Sequence, residues 1–149
     1  MRRFHFNLER ILSLRKHEEH EVEMRLAGVT AECVSLENQI EEARRRLGSS
    51  YGVGHGVGHI DLSQSYARGA YQAYLEGQIE RLQRQLRERE AEREKLAEEY
   101  REAYKQRQVL DRLKERREQE YYAEERKQEG YRLDEIGAAN YYYRREGEM

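Results

Sequence analysis

VEMRLAGVTAECVSLENQIEEARRRL, residues 22–47, decides the fold. Apolar residues recur in it at Val22, Leu26, Val29, Cys33, Leu36, Ile40, Ala43 and Leu47, and the steps alternate four and three without a break. That spacing returns a side chain to the same helix stripe every 3.5 residues on average, which makes a coiled-coil seam. Val22, Val29, Leu36 and Ala43 take the d positions, and Leu26, Cys33, Ile40 and Leu47 take the a positions. Carried backward, the frame meets Glu19, Arg15, Leu12 and Leu8, with Asn7 as a plausible N-cap. A first helix is expected over about residues 4–48.

A matching seam lies further on. Leu75, Ile79, Leu82, Leu86, Arg89, Arg93, Leu96, Tyr100, Ala103, Arg107 and Leu110 keep the same alternation before it slips by three at Leu113. A second, longer helix is expected over about 62–136, with a frayed tail over 137–149 where Gly137 and Asn140 weaken helix propensity. Between the segments, Gly48, Gly52, Gly54, Gly56 and Gly58 mark a loop over 48–61, and Asp61 or Ser63 can cap the second helix. Two seamed helices around one break imply an all-α, antiparallel two-helix coiled-coil hairpin in a single domain, with the second helix longer than the first. On the rise of a helix, the first spans about 65 Å and the second more than about 100 Å.

Composition agrees. Ala, Glu, Leu, Lys and Arg make up 81 of 149 residues, and there is no proline. That is the composition of long solvated helices rather than of a globular core. The mean hydropathy is −1.20. No apolar run approaches the roughly 20 residues of a membrane span, and the start of the chain lacks the apolar stretch of a signal peptide. A net charge of −2 argues against wholesale nucleic-acid binding. One cysteine, Cys33, can form no internal disulfide and fits a reducing, cytoplasmic setting.

Pairing the two seams antiparallel favours a register with Leu12 by Leu96, Val22 by Leu86, Leu26 by Leu82, Val29 by Ile79 and Cys33 by Leu75. Glu19 then meets Arg89, and Arg15 faces Arg93. The second helix overruns the first from about residue 101 to 107 onward, which leaves Leu110 and Leu113 without a partner in the hairpin.

Chemistry is sparse. His55 and His59 lie in the glycine loop without a third metal ligand, and no Gly-Lys-Ser/Thr follows the glycines as a phosphate loop requires. Cys33 is a seam residue with no histidine placed to activate it. No cofactor, metal or catalytic site is expected, so the chain reads as a non-enzyme. Charge is more informative. Residues 1–16 carry net +4 and residues 107–117 carry net +3. The hairpin brings these stretches to one basic, partly apolar end suited to an acidic partner.

Phe4 to Arg15, Tyr71-Gln72-Ala73-Tyr74-Leu75, and Leu110-Asp111-Arg112-Leu113-Lys114-Glu115-Arg116-Arg117 followed by Leu133-Asp134-Glu135-Ile136 together resemble the flagellar export protein FliJ family. The order and spacing of these segments carry the likeness across the whole chain; the glycine-histidine loop departs from it. The resemblance implies a stalk-like protein that inserts into the hexameric export ATPase FliI and promotes its assembly and activity. It also implies contact with the export gate protein FlhA and a part in escorting export chaperones, at the cytoplasmic face of the flagellar basal body. On it, Leu8, Arg10, Ile11, Arg107, Leu110, Leu113, Lys114 and Arg117 would face the ATPase. Gln39, Ala43, Tyr74 and Gln78 would face the gate, Ala43 and Gln78 differing from the family's usual residue types. The seam residues are Val22, Leu26, Val29, Cys33, Leu36, Ile40, Leu75, Ile79, Leu82, Leu86, Leu96 and Tyr100. The alternatives are a structural spacer or dimerisation module and the equivalent stalk of a virulence type III secretion system.

Overall fold

The computed structural model describes residues 2–52 and 61–148. Two helices make up nearly all of them: α1, Glu9–Gly52, and α2, Leu62–Gly147. They form a helical hairpin whose second helix, at 86 residues, is about twice the first at 44. Packing divides the chain into a unit of residues 1–18 with 103–149 and a unit of residues 19–102.

α1 begins five residues later than the seam pattern alone suggests. Phe4 and Phe6 have the period of two that suits a non-helical segment lying on a surface, with Phe4 half-buried, His5 exposed and Phe6 buried. A turn follows, in which the Glu9 amide donates to the Phe6 carbonyl at 3.2 Å. The Leu12 amide then donates to the Leu8 carbonyl at 2.9 Å, opening the helical ladder at Leu8. Asn7 is therefore not the cap: its side-chain oxygen accepts from Arg117 at 2.7 Å.

The helix also runs past Gly48, the expected stop, to Gly52. One glycine inside a helix costs only about 1 kcal/mol relative to alanine. Beyond Gly52 the expected loop falls on residues 53–60, outside the described residues. Asp61 caps α2 as anticipated: its carboxylate accepts from the Ser63 amide at 2.9 Å and its carbonyl from the Ser65 amide at 3.0 Å. Hydrogen bonds from Ser63 hold the Asp61 carboxyl below the usual aspartate range. At its far end α2 continues to Gly147 instead of stopping near 136. Ala138 and Ala139 restore propensity after Gly137, and Arg144 and Arg145 lie in the last turn, where cations suit the helix dipole.

In the 19–102 unit, Val22, Cys33, Ile40, Ala43, Leu75, Ile79, Leu82 and Leu96 are buried, and Leu26, Val29, Leu36, Leu86 and Tyr100 are half-buried. The register differs from the one the sequence favours. Ile79 and Leu82 cluster with Ile40 and Ala43, flanked by Leu36, Leu47 and Leu86. Arg89 pairs with Glu32 at 3.4 Å, not with Glu19, and Arg25 pairs with Glu99 at 3.5 Å. Opposite Ile79, Val29 has given way to Ala43, a slide of about two heptads.

Energetics explains the slide. In the expected register Leu36, Ile40, Ala43 and Leu47 would face Gln72, Arg68, Ser65 and Asp61. Burying one Leu or Ile is worth roughly 1.5–3 kcal/mol, whereas an exposed ion pair such as Glu19 with Arg89 would add about 0–1 kcal/mol. The observed register accepts Arg89 and Arg93 into the seam region. Both are half-buried, so their stems cover apolar surface while their charged heads reach water or a carboxylate. A cross-link tests this. With Cys33 replaced by Ser, the pair Ala43→Cys and Ile79→Cys should oxidise to an intramolecular disulfide, and Val29→Cys with Ile79→Cys should not. The opposite yields in non-reducing electrophoresis would restore the pairing of Val29 with Ile79.

In the other unit, Phe6 is 3% and Leu12 is 1% exposed. The Phe4 ring meets Tyr121 at 5.6 Å, and the Arg117 guanidinium lies 5.9 Å from the Phe6 ring centre. The Tyr121 hydroxyl donates to the Arg2 carbonyl at 3.1 Å. Partial burial and the nearby Glu125 carboxylate push this phenol up. Residues 2–8 thus act as a strap on α2 that reaches Tyr121. Arg2 shares a groove with Glu125, Gln128, Glu129 and Arg132, so α2 is accompanied well past residues 101–107, and Leu110 and Leu113 are half-buried rather than unpartnered.

Candidate protein-interaction surfaces

The eight residues expected to face the ATPase all fall in the 1–18 and 103–149 unit, but they play two parts. Arg10 and Ile11 are exposed, Ile11 by 44%. Leu8, Leu110 and Leu113 are half-buried and hold the segments together. The three other cations are engaged within the chain. Lys114 pairs with Glu9 at 2.9 Å, Arg117 bonds Asn7, and Arg107 bonds Asp111 and lies 5.1 Å from the Tyr104 ring centre. Arg15 donates to Gln106 at 2.8 Å and pairs with Glu18 at 3.0 Å.

What remains presented is a different set of cations: Arg2, Arg3, Arg10, Lys16, Arg112 and Arg116 are all exposed. Apolar side chains lie among them, with Leu14 at 53% and Val109 at 65% exposure. Sequence reading passed over Leu14 and Val109 because neither falls on a seam position. Their signal was the converse one, a large apolar residue out of frame on a highly charged helix. It also missed the packing of Phe4 on Tyr121 and of Phe6 beside Arg117, which only the strap brings together.

In the 19–102 unit, Gln39, Ala43 and Gln78 line one groove of about 560 Å³ with Asn38, Glu42 and Arg46. Gln39 is exposed and donates to Ser35 at 3.2 Å. Ala43 is a correction in kind: at 5% exposure it belongs to the core, where it packs with Ile79, and a partner would reach little of its side chain. Tyr74 is 58% exposed and does not line that groove. Tyr66 and Tyr71 nearby are also exposed, an amphipathic surface of the kind protein interfaces favour.

Among the described residues no group of His, Cys, Asp and Glu could hold a metal ion. His55 and His59 lie outside them. No helix among the described residues is long and apolar enough to cross a membrane.

A family model described as "Flagellar FliJ protein" matches residues 4–147, from the strap to the end of α2. The chain belongs to the FliJ family. No curated protein and no solved structure matches it. Membership makes the chain a flagellar export component, of a family whose members are non-catalytic and interact within the export apparatus. In this FliJ-family chain the match includes Phe4, Phe6 and the seams of both helices. The residues that build the hairpin therefore lie inside the family pattern.

Proposed function

We propose that this chain is the stalk of the flagellar export ATPase. On this reading its 1–18 and 103–149 unit enters the FliI hexamer and promotes ring assembly and hydrolysis. The other unit meets the export gate protein FlhA through Gln39, Tyr74 and Gln78, and the chain also escorts export chaperones, at the cytoplasmic face of the basal body. The observation that carries the reading is that this unit exposes the cations Arg10, Lys16, Arg112 and Arg116 together with the apolar Ile11, Leu14 and Val109. Exposed cations steer an acidic partner into contact, and the apolar residues supply the area that holds it once water is expelled. An isolated spacer has no use for exposed apolar groups at this end.

The test uses hydrolysis by purified export ATPase. Added protein should stimulate turnover at low enzyme concentration, where ring assembly limits the rate. Ile11→Asp combined with Arg10→Glu should raise the concentration needed for half-maximal stimulation by about tenfold or more, equivalent to one hot-spot contact. Both side chains are exposed, so helicity should be unchanged. An ATPase indifferent to the wild-type protein, or equally stimulated by the double variant, would remove this mechanism.

A further inference from the structure

α2 ends in a stretch that no other part of the chain buries. Every residue from Arg126 to Glu148 is exposed, yet the helix runs on to Gly147. Gly130 and Gly137 each cost it about 1 kcal/mol relative to alanine. Helices in proteins draw most of their stability from packing an apolar face, and this stretch has one to pack. Leu133, Ile136, Asn140 and Tyr143 follow at steps of three, four and three, a heptad row on one side of the helix. Leu133 is 60%, Ile136 is 58% and Tyr143 is 76% exposed.

The charges here favour a second copy of the chain. Residues 126–148 hold five Lys and Arg against five Asp and Glu, so the stretch as a whole neither attracts nor repels a charged partner. Asp134, Glu135, Arg144, Arg145 and Glu146 form no ion pair with another described residue, and Arg132 has only Glu129, at 3.8 Å. What these charges match is their own reverse. Placed antiparallel about a two-fold axis at Ala138, the row sets Leu133 on Tyr143 and Ile136 on Asn140 of the other copy. The same placement brings Arg132 to Glu146 on one flank and Arg144 to Asp134 on the other, each pair formed twice. A parallel pairing in register joins none of them. Gly137 and Ala139 flank the axis and let the two backbones approach closely.

We propose that residues 130–147 are a homodimer contact, in which the end of α2 packs antiparallel on the same segment of a second copy. The face is about 26 Å long on the rise of a helix. That is less than a permanent interface needs, so the contact is reversible and depends on concentration. It does not rest on the ATPase-binding reading, which uses other residues.

The test is sedimentation equilibrium of the full chain over about 5–200 µM, where monomer should give way to dimer. Ile136→Asp, at an exposed position, should keep the helicity and weaken association by about tenfold or more. Asp134→Arg with Glu135→Arg should lose self-association to a similar degree, and so should Arg144→Glu with Arg145→Glu. An equimolar mixture of these two double variants should regain it, because each supplies the charges the other lacks. Orientation is read by cross-linking. With Cys33 replaced by Ser, Ala139→Cys should oxidise to a covalent dimer and Leu133→Cys should not, since the axis brings only residue 139 to its own copy. A chain that stays monomeric throughout this range would overturn the proposal. So would a dimer indifferent to Ile136→Asp, a mixture no better associated than either double variant alone, or preferential cross-linking through Leu133→Cys.

Discussion

Phe6→Ala should lower the unfolding free energy by about 3 kcal/mol, the lower end of the range for a buried phenylalanine. Phe6 is 3% exposed although it belongs to a segment without helical hydrogen bonds. Its burial therefore comes from side-chain packing, with the Arg117 guanidinium of α2 beside the ring. With the ring gone, the remaining ties of residues 2–8 are surface-exposed contacts. Arg117 to Asn7, Lys114 to Glu9 and Tyr121 to Arg2 are each worth about 1 kcal/mol or less once screened by water. They do not offset the ordering entropy of seven residues, at roughly 1–2 kcal/mol each. The strap should detach as a unit, with the amides of residues 4–8 losing protection from hydrogen exchange while those of α1 near Ile40 keep theirs. The Tyr121 phenol, raised by partial burial and Glu125, should titrate at lower pH in the variant as the burial part is lost. A thermal midpoint within a degree of wild type, with an unchanged Tyr121 titration, would show that the strap is not held by this ring.

Ile79→Asp should have the largest effect of any single change, unfolding most of the helix rather than a local segment. Ile79 is 9% exposed and packs in the cluster of Ile40, Ala43 and Leu82. Truncation alone costs about 2–5 kcal/mol. A carboxylate adds the penalty of an uncompensated charge beside apolar groups. The total is comparable with the whole stability of a small domain, about 5–15 kcal/mol. Among the described residues of this unit, the buried side chains all lie on the seam between α1 and α2, so little else holds its two helices together. Circular dichroism at 222 nm should lose more than half its amplitude at 25 °C. Val109→Asp, at a position 65% exposed, should lose almost none. If Ile79→Asp kept wild-type helicity and midpoint, the seam would not be what holds the hairpin together.

Several features were legible in the residues alone. The alternation through Val22, Leu26, Val29 and Cys33 specifies an apolar stripe, and only a helix turns that spacing into a stripe. The glycines between Leu47 and Asp61 specify one interruption, and charge on nearly every other residue excludes a globular core. Two helices paired by their seams follow from these local rules. So does a cap at Asp61 or Ser63, since capping depends on neighbours two or three residues away.

The register, the strap and the reach of α2 were settled only in three dimensions. A heptad repeat looks the same after a slide of seven residues, so local pattern leaves several pairings open. The choice rests on a sum over every layer at once, and placing Ile40 and Ala43 against Leu82 and Ile79 outweighs one ion pair at Glu19. Phe4 and Phe6 read equally well as a helix start or as two anchors two residues apart, until α2 presents Tyr121 and Arg117 for them to cover. That same contact turned Leu110, Leu113 and Lys114 from a free end into a packed one. Helix propensity and periodicity act over a few residues, whereas burial is a property of surfaces brought together from opposite ends of the chain.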